Sequence, residues 1–238
     1  MNKMKIEIWS DVMCPFCYLG KRKFEQALLQ FAHKEEVEVD WKSFQLMPAL
    51  KTNPEISIHD FLAEEKGFHP DQAKKMNEQV KQMGNQAGLD YRFDDVVVAN
   101  TFKAHRLIQF AKNQGKQQEA EEILFRAFFT DGKNVDDNDT LVELGKEIGL
   151  DTDRLSAVLQ GNEYSREVVA DIEEASQLGI HGVPYFVLDR KYGVSGAQES
   201  GAFLAALEKA YSEWKKNNPH QLAEVLNGQT CTPDGNCD

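Results

Sequence analysis

Two cysteines lie three positions apart near the start of the chain, in Cys14-Pro15-Phe16-Cys17. On a helix, positions i and i+3 share one face, and their Cα atoms are within the range that a disulfide can bridge. At the N-cap of a helix, unpaired backbone N–H groups and the helix dipole favour a thiolate. The spacing therefore predicts reversible thiol-disulfide exchange, in which Cys14 attacks and Cys17 resolves.

The same spacing is also compatible with half of a four-cysteine zinc site. The other half would have to be Cys231 and Cys237, the remaining cysteines of the chain, which are separated by five residues. Pro15 at a helix start suits a redox turn better than a zinc site, so we expect no bound metal. The acidic run 136–139 is not expected to bind calcium, because Leu141 occupies the position where a calcium loop needs glycine.

A proline opens a candidate strand in Gly182-Val183-Pro184-Tyr185-Phe186-Val187. Proline cannot donate to a sheet ladder, so a strand start is one of the few places in a sheet where it is allowed. An ordinary trans proline at a sheet edge would explain this pattern. A cis Val183-Pro184 bond would instead point to a functional role.

Apolar periodicity predicts a strand, a helix of about four turns and a second strand around the cysteine pair. The residues that carry these three patterns are Ile6 and Ile8, then Phe24, Leu28 and Phe31, then Val37, Val39 and Trp41. A strand, a helix and a strand in this order predict a parallel βαβ unit. Later in the chain, 185–188 and 192–194 predict a hairpin, which an amphipathic helix follows before Pro219.

Between these parts, residues from about 56 to 178 have helical periodicity. Gly84 is among the glycines expected to break this region into short helices, and Thr140 with Glu143 predicts a capping box. The predicted fold class is α/β, a thioredoxin-like fold with a large all-helical insertion between a βαβ and a ββα half. The predicted domains are 1–50 with 180–217, an inserted helical domain 51–179, and a tail 218–238.

Composition limits the classes of partner. The 238 residues include 27 basic and 39 acidic side chains, a net charge of −12 that repels phosphate backbones and anionic lipids. Nucleic acid and membrane partners are therefore not expected, and no apolar run reaches the roughly 20 residues of a membrane span. The N-terminus has no apolar signal region, and four cysteines are too few for a disulfide scaffold. We expect a cytoplasmic monomer or homodimer.

The chain resembles the DsbA-like branch of the thioredoxin-fold proteins, and within it the cytosolic FrnE-like group. The segments that carry the resemblance are 10–20 (SDVMCPFCYLG), 100–101 (NT), 104–107 (AHRL), 132–135 (GKNV) and 179–184 (GIHGVP). They span nearly the whole chain. The dithiol and the Val183-Pro184 step are specific in combination, whereas the helical motifs are weaker individually.

The resemblance implies that Pro184 is cis beside the dithiol and that Val183 presents backbone groups to an extended substrate. Pro15 and Phe16 are then expected to contact substrate as well. The best-known periplasmic members carry histidine where this chain has Phe16, so a strongly oxidising potential is not expected.

The resemblance also implies weaker roles for residues farther from the dithiol. Asn100 and His105 belong to helical motifs that face the active-site cleft in the family, although such a histidine is more often simply packed. FrnE-like proteins have a C-terminal cysteine pair, which suggests that Cys231 and Cys237 form a second redox pair; a free tail is the alternative.

Two other functions fit the same plan. The 2-hydroxychromene-2-carboxylate isomerases and kappa-class glutathione transferases look similar, but they typically have serine at the position of Cys14 and lack Cys17. A holdase chaperone that uses the helical insertion as an apolar cleft is the second alternative. We expect disulfide oxidoreductase or isomerase activity on protein or small-molecule disulfides and thiols, with no resident cofactor and with glutathione as a candidate redox partner.

Overall fold

The computed structural model describes residues 3–218, which contain four strands and nine α-helices. The strands are β1 (Met4–Ser10), β2 (Val37–Ser43), β3 (Tyr185–Leu188) and β4 (Tyr192–Ser195). The helices are α1 (Pro15–Gln30), α2 (Ile58–Lys66), α3 (Pro70–Gln86), α4 (Phe102–Lys112), α5 (Gln117–Phe129), α6 (Asn138–Glu147), α7 (Thr152–Gln160), α8 (Ser165–Gln177) and α9 (Ser200–Asn217). In this described range, no helix has both the length and the apolar character needed to cross a membrane.

The strands form one sheet in the order β2-β1-β3-β4. β1 and β2 are parallel and are joined by α1, whereas β3 is antiparallel to both β1 and β4. The predicted βαβ and ββα halves are confirmed, and α2 to α8 are inserted between them. The fold is therefore α/β and thioredoxin-like with a helical insertion. The domain limits given above remain a prediction.

One face of the sheet packs against α1 and α9. Because strand side chains alternate between faces, Ile6 and Ile8 of β1 both point to this side and are fully buried. Phe24 of α1 and Phe203 of α9 meet over them, with ring centroids 5.7 Å apart. This packing holds α1, and with it the cysteine pair at its start, against β1.

On the other face, α8 of the insertion is attached to the sheet through Asp171. Its buried carboxylate accepts hydrogen bonds from the Ser43 backbone N–H at 2.9 Å, from Lys42 Nζ at 2.9 Å and from Gln109 Nε2 at 2.6 Å. Its backbone carbonyl accepts from Trp9 Nε1 at 2.9 Å. One side chain therefore connects β2, α4 and α8.

The insertion has a separate apolar core, which extends to the first turn of α1. Phe125 of α5 stacks on Tyr18, with ring centroids 4.9 Å apart. Cys14 and Cys17 belong to this core rather than to the one between the sheet, α1 and α9. The dithiol therefore lies where the insertion meets the thioredoxin-like half.

Two local predictions in the insertion are wrong. Gly84 does not break a helix but lies inside α3, because the Tyr91 ring packs against its backbone; a Cβ at this position would be 2.5 Å from two ring carbons. Thr140 is not the N-cap of α6 either. Asp137 occupies that position, and its carboxylate accepts the Thr140 backbone N–H at 2.8 Å, which is the usual capping geometry.

Candidate active site

Cys14 is the N-cap of α1, with the extended backbone angles φ −91° and ψ 110°. Pro15 is the first residue of the helix. A backbone N–H at this position has no partner within the helix, so its absence in proline costs no hydrogen bond. The Cys14 carbonyl accepts the Cys17 N–H at 3.0 Å, so the two cysteines are one turn apart. Both are free thiols, and both are buried, with Cys14 4% and Cys17 1% exposed.

The Cys14 thiol donates a hydrogen bond to the Val183 carbonyl, with the sulfur and oxygen 3.6 Å apart. The Val183-Pro184 peptide bond is cis. Gly20, on the face of α1 above the dithiol, makes room for this segment: a Cβ at Gly20 would lie 3.0 Å from Pro184 Cγ. The fold thus brings together two sequence motifs that are about 170 residues apart.

Cys17 is held as a thiol by its surroundings. Burial raises the pKa of Cys17 well above the ordinary value, and the hydrogen bond with Cys14 and the charge of that sulfur raise it further. The Asp11 backbone N–H and the Ser10 side chain act in the opposite direction but do not reverse the shift. The two sulfurs therefore lie in different surroundings, and only Cys14 contacts the Val183 carbonyl.

Tyr91 ties the first turn of α1 to the insertion. Its hydroxyl donates to the Pro15 carbonyl at 2.6 Å, and burial raises the pKa of this phenol, so the hydroxyl keeps its proton. Its ring is fully buried beside Phe129, at a centroid distance of 5.1 Å. Tyr91 was not predictable from the sequence, because no local pattern links it to a residue 76 positions earlier.

The two helical-motif candidates have different surroundings. His105, buried in α4, places Nε2 3.3 Å from the Asp11 carboxylate, just before the dithiol. Asn100 instead organises loops: its Oδ1 accepts the Phe102 N–H at 2.8 Å, and its Nδ2 donates to the Leu50 carbonyl at 2.9 Å. The fold therefore brings His105 towards the cysteine pair, whereas the hydrogen bonds of Asn100 go to other segments.

An apolar cleft of about 360 Å³ opens beside Cys14. Its lining includes Met13 and Phe16 at the start of α1, Leu62 from α2, and Met76 and Met83 from α3. Among the described residues that line it, none is charged, and the polar ones are Asn77 and Gln79. Four of the seven exposed large apolar side chains in the described range border it. Such a patch marks a binding surface more often than a solvated one.

Within residues 3–218, no group of three or more histidine, cysteine or acidic side chains could hold a metal ion. The four-cysteine zinc alternative and the second redox pair both involve Cys231 and Cys237. Those two residues lie outside the described range.

Comparison with known proteins supports the fold. The model of the DSBA-like thioredoxin domain family matches residues 5–208. The chain belongs to this family, as the resemblance implies. A crystal structure of a probable DsbA oxidoreductase from Streptomyces coelicolor is 38% identical, with a TM-score of 0.83 over 99% of this chain and 98% of that one.

Two further proteins are more distant. An uncharacterized protein of Bacillus subtilis, YwbO, is 28% identical over 89% of this chain and 97% of its own length. The cytosolic disulfide reductase DsbM from Pseudomonas aeruginosa is 15% identical, with a TM-score of 0.60 over 90% of this chain and 98% of that one. It has also been solved with glutathione. At this identity, DsbM shows a shared fold alone.

Proposed function

We propose that the protein is a thiol-disulfide oxidoreductase or disulfide isomerase that acts through Cys14 and Cys17. The observation that carries the proposal is the placement of Cys14: it caps α1, lies 3.6 Å from the Val183 carbonyl and has a second thiol one turn away. Backbone groups beside a sheet edge can hold an extended peptide by main-chain hydrogen bonds. Val183, Pro184, Pro15 and Phe16 are the substrate contacts in this proposal.

The reaction has two exchange steps. The Cys14 thiolate attacks a substrate disulfide, forms a mixed disulfide and releases one substrate thiolate. Cys17 then attacks Cys14, the mixed disulfide breaks, and the second substrate sulfur leaves. The substrate is reduced by two electrons and the protein dithiol is oxidised to a disulfide. The reverse steps oxidise a substrate dithiol. Isomerisation occurs when another thiolate of the substrate attacks the mixed disulfide before Cys17 does: a new substrate disulfide forms, the bond to Cys14 breaks, and Cys14 leaves as the thiolate.

The cleft beside Cys14 favours peptide disulfides that have an apolar residue next to the cysteine. Burying one large apolar side chain there would contribute about 1.5–3 kcal/mol. Glutathione carries two carboxylates, and among residues 3–218 the cleft lining has no cation to pair with them. Glutathione remains the candidate redox partner that resets the dithiol. Reduction or isomerisation in the cytosol is the direction that we propose, in line with the cytosolic reductase named above.

The proposal is tested by trapping the mixed disulfide. Cys17→Ser cannot resolve it, so this variant should accumulate a covalent adduct with a peptide disulfide that has Phe or Leu beside the cysteine. Cys14→Ser is the matched control and should form none. Mass spectrometry of non-reduced samples measures both. Adduct formation that does not depend on Cys14 would refute the proposal.

The same variants separate the alternatives. A glutathione-dependent isomerase or transferase would keep its glutathione-transfer activity in Cys14→Ser. A holdase would suppress aggregation equally well with both cysteines replaced. We also propose that Cys231 and Cys237 form a second redox pair, which a redox titration against glutathione checks by comparing the intact protein with one carrying serine at both positions.

A further inference from the structure

The apolar cleft beside Cys14 has a buried amide in its wall. Of the two polar residues that line the cleft in the described range, Gln79 is exposed to solvent, whereas Asn77 of α3 is 7% exposed. Asn77 Nδ2 lies 3.0 Å from His59 Nδ1. Among the described residues, Asn77 Oδ1 has no hydrogen-bond partner, and it is not one of the fully enclosed unpaired atoms. The oxygen is therefore an unused acceptor that keeps some access from outside.

His59 of α2 determines which way this amide is turned. The carboxylate of Asp94, in the short turn Phe93–Asp95, lies 3.0 Å from His59 Nε2. The hydrogen bond from His59 lowers the pKa of Asp94, so this carboxylate is ionised and can only accept. His59 therefore carries a proton on Nε2, and in its neutral form it accepts at Nδ1. Asn77 must then donate its Nδ2–H to His59, which leaves Oδ1 as the free end of the amide.

The surroundings of this oxygen restrict the side chains that could occupy the cleft. No lining residue in the described range carries a charge, so a lysine side chain would lose its hydration there without compensation. A purely apolar side chain would instead bury Asn77 Oδ1 without a partner, which also costs free energy. A side chain that avoids both costs has a large apolar body and one neutral donor at its end. Tyrosine has this form.

We propose that Asn77 Oδ1 faces the cleft and accepts a hydrogen bond from the hydroxyl of a tyrosine that lies next to the substrate cysteine. Asn77 is then a specificity-determining residue, and His59 and Asp94 are positioning residues. The inference rests on the proposed function and narrows its substrate class to peptide disulfides that contain tyrosine. The exchange step is unchanged: the Cys14 sulfur bonds to one peptide sulfur, the peptide disulfide breaks, and the second peptide leaves as the thiolate.

Three symmetric peptide disulfides test this with the Cys17→Ser variant. Each peptide carries tyrosine, phenylalanine or O-methyltyrosine beside its cysteine. Mass spectrometry of acid-quenched samples gives the rate of adduct formation, and the rate of each disulfide with free glutathione corrects for its intrinsic reactivity. The tyrosine peptide should react about fivefold faster than the phenylalanine peptide, which corresponds to one net hydrogen bond. The O-methyltyrosine peptide has no donor and should lack this advantage.

Asn77→Leu, combined with Cys17→Ser, replaces the amide by an apolar side chain of similar size. The order should then reverse, with the phenylalanine peptide faster by about twofold or more, because the tyrosine hydroxyl is buried without a partner. Asn85→Leu is the matched control. It makes the same change at an exposed position of α3 that does not line the cleft, and it should keep the preference for tyrosine.

Equal rates for the tyrosine and phenylalanine peptides in Cys17→Ser, or a preference for tyrosine that survives in Asn77→Leu, would overturn the inference. If Asn77→Leu does not fold, the O-methyltyrosine peptide decides the matter, and a rate equal to that of the tyrosine peptide would overturn the inference. Absence of an adduct with all three peptides, or adducts that still form in Cys14→Ser, would instead refute the proposed function.

Discussion

The two sulfurs of the dithiol are one turn apart but meet different surroundings. Cys14 contacts the Val183 carbonyl and lines the apolar cleft, whereas Cys17 is enclosed and its pKa is raised by burial. The sequence predicted this division of roles from the order of the cysteines along a helix start. It could not predict the enclosure of Cys17, which is buried in the apolar core that the insertion forms.

At the residue scale, Glu121, a buried residue of α5, should make folding stability depend on pH. Its pKa is about 7 in the folded chain, against 4.5 for an unburied glutamate. The folded state therefore binds more protons than the unfolded state between about pH 4.5 and pH 7, so this group's stabilising contribution is complete below that window and is lost as pH rises through it. At about 1.4 kcal/mol for each pH unit, the loss is about 3 kcal/mol.

Glu121→Gln should abolish that dependence. The difference in unfolding free energy between variant and wild type should change by about 3 kcal/mol in favour of the variant from pH 4 to pH 8. Urea denaturation at several pH values measures it, and Glu119→Gln, at an exposed position of the same helix, serves as the control. Parallel stability curves for Glu121→Gln and the wild type would contradict the assignment.

At the element scale, the close approach of α1 to the segment before β3 sets the geometry of the site. Gly20→Ala should push Pro184 away, because the new Cβ would lie 3.0 Å from Pro184 Cγ and 3.6 Å from Ala197 Cα. The displacement should disturb the contact between Cys14 and Val183 and slow mixed-disulfide formation with a peptide about tenfold.

The displacement should also destabilise the folded protein. Alanine, however, is favoured over glycine in a helix by about 1 kcal/mol, which opposes that loss of stability. The rate is therefore the decisive measurement for Gly20→Ala. Gly201→Ala is the control: it also replaces a helical glycine, but no atom lies within 4 Å of the new Cβ. Equal rates in the two variants would show that the packing against Pro184 does not position the site.

The elements themselves were largely predictable, because their periodicities are local. The alternation at Ile6 and Ile8 and the helical stripe at Phe24 each follow from residues a few positions apart. The errors arose where a specific side-chain contact decides the outcome. The Tyr91 ring fills the space of a side chain at Gly84, and Asp137 rather than Thr140 caps α6. Periodicity contains neither contact, although the residues involved are close in the sequence.

At the scale of the whole molecule, Asp171 joins the insertion to the sheet. Asp171→Ala should lower the unfolding free energy by about 3 kcal/mol, because three donors lose a hydrogen bond to a buried carboxylate, even though Lys42 keeps its pair with Glu174 and Gln109 keeps its bond to Ser43 Oγ. Denaturant unfolding measures the loss. Glu173→Ala, at an exposed position of the same helix, should change stability by less than about 0.5 kcal/mol. A loss below about 1 kcal/mol for Asp171→Ala would contradict this role.

Contacts of this kind are also why the candidate site was only partly predictable. The cysteines, Val183 and Pro184 belong to recognisable motifs, and their residue types indicate their chemical role. Tyr91, Glu121 and Asp171 are ordinary residues of amphipathic segments, and only their burial distinguishes them. Burial depends on how the insertion folds back onto the sheet, which periodicity does not determine.

The cleft beside Cys14 takes most of its walls from the insertion, including α2 and α3, whereas the strands and α1 hold the sulfurs. Under the proposed function, much of the cleft's contribution to substrate preference is therefore encoded in a different stretch of the gene from the cysteines. Under that function, a library that randomises only the cleft-facing positions of 58–86 would change which substrates are preferred and leave the Cys14-Pro15-Phe16-Cys17 dithiol unchanged.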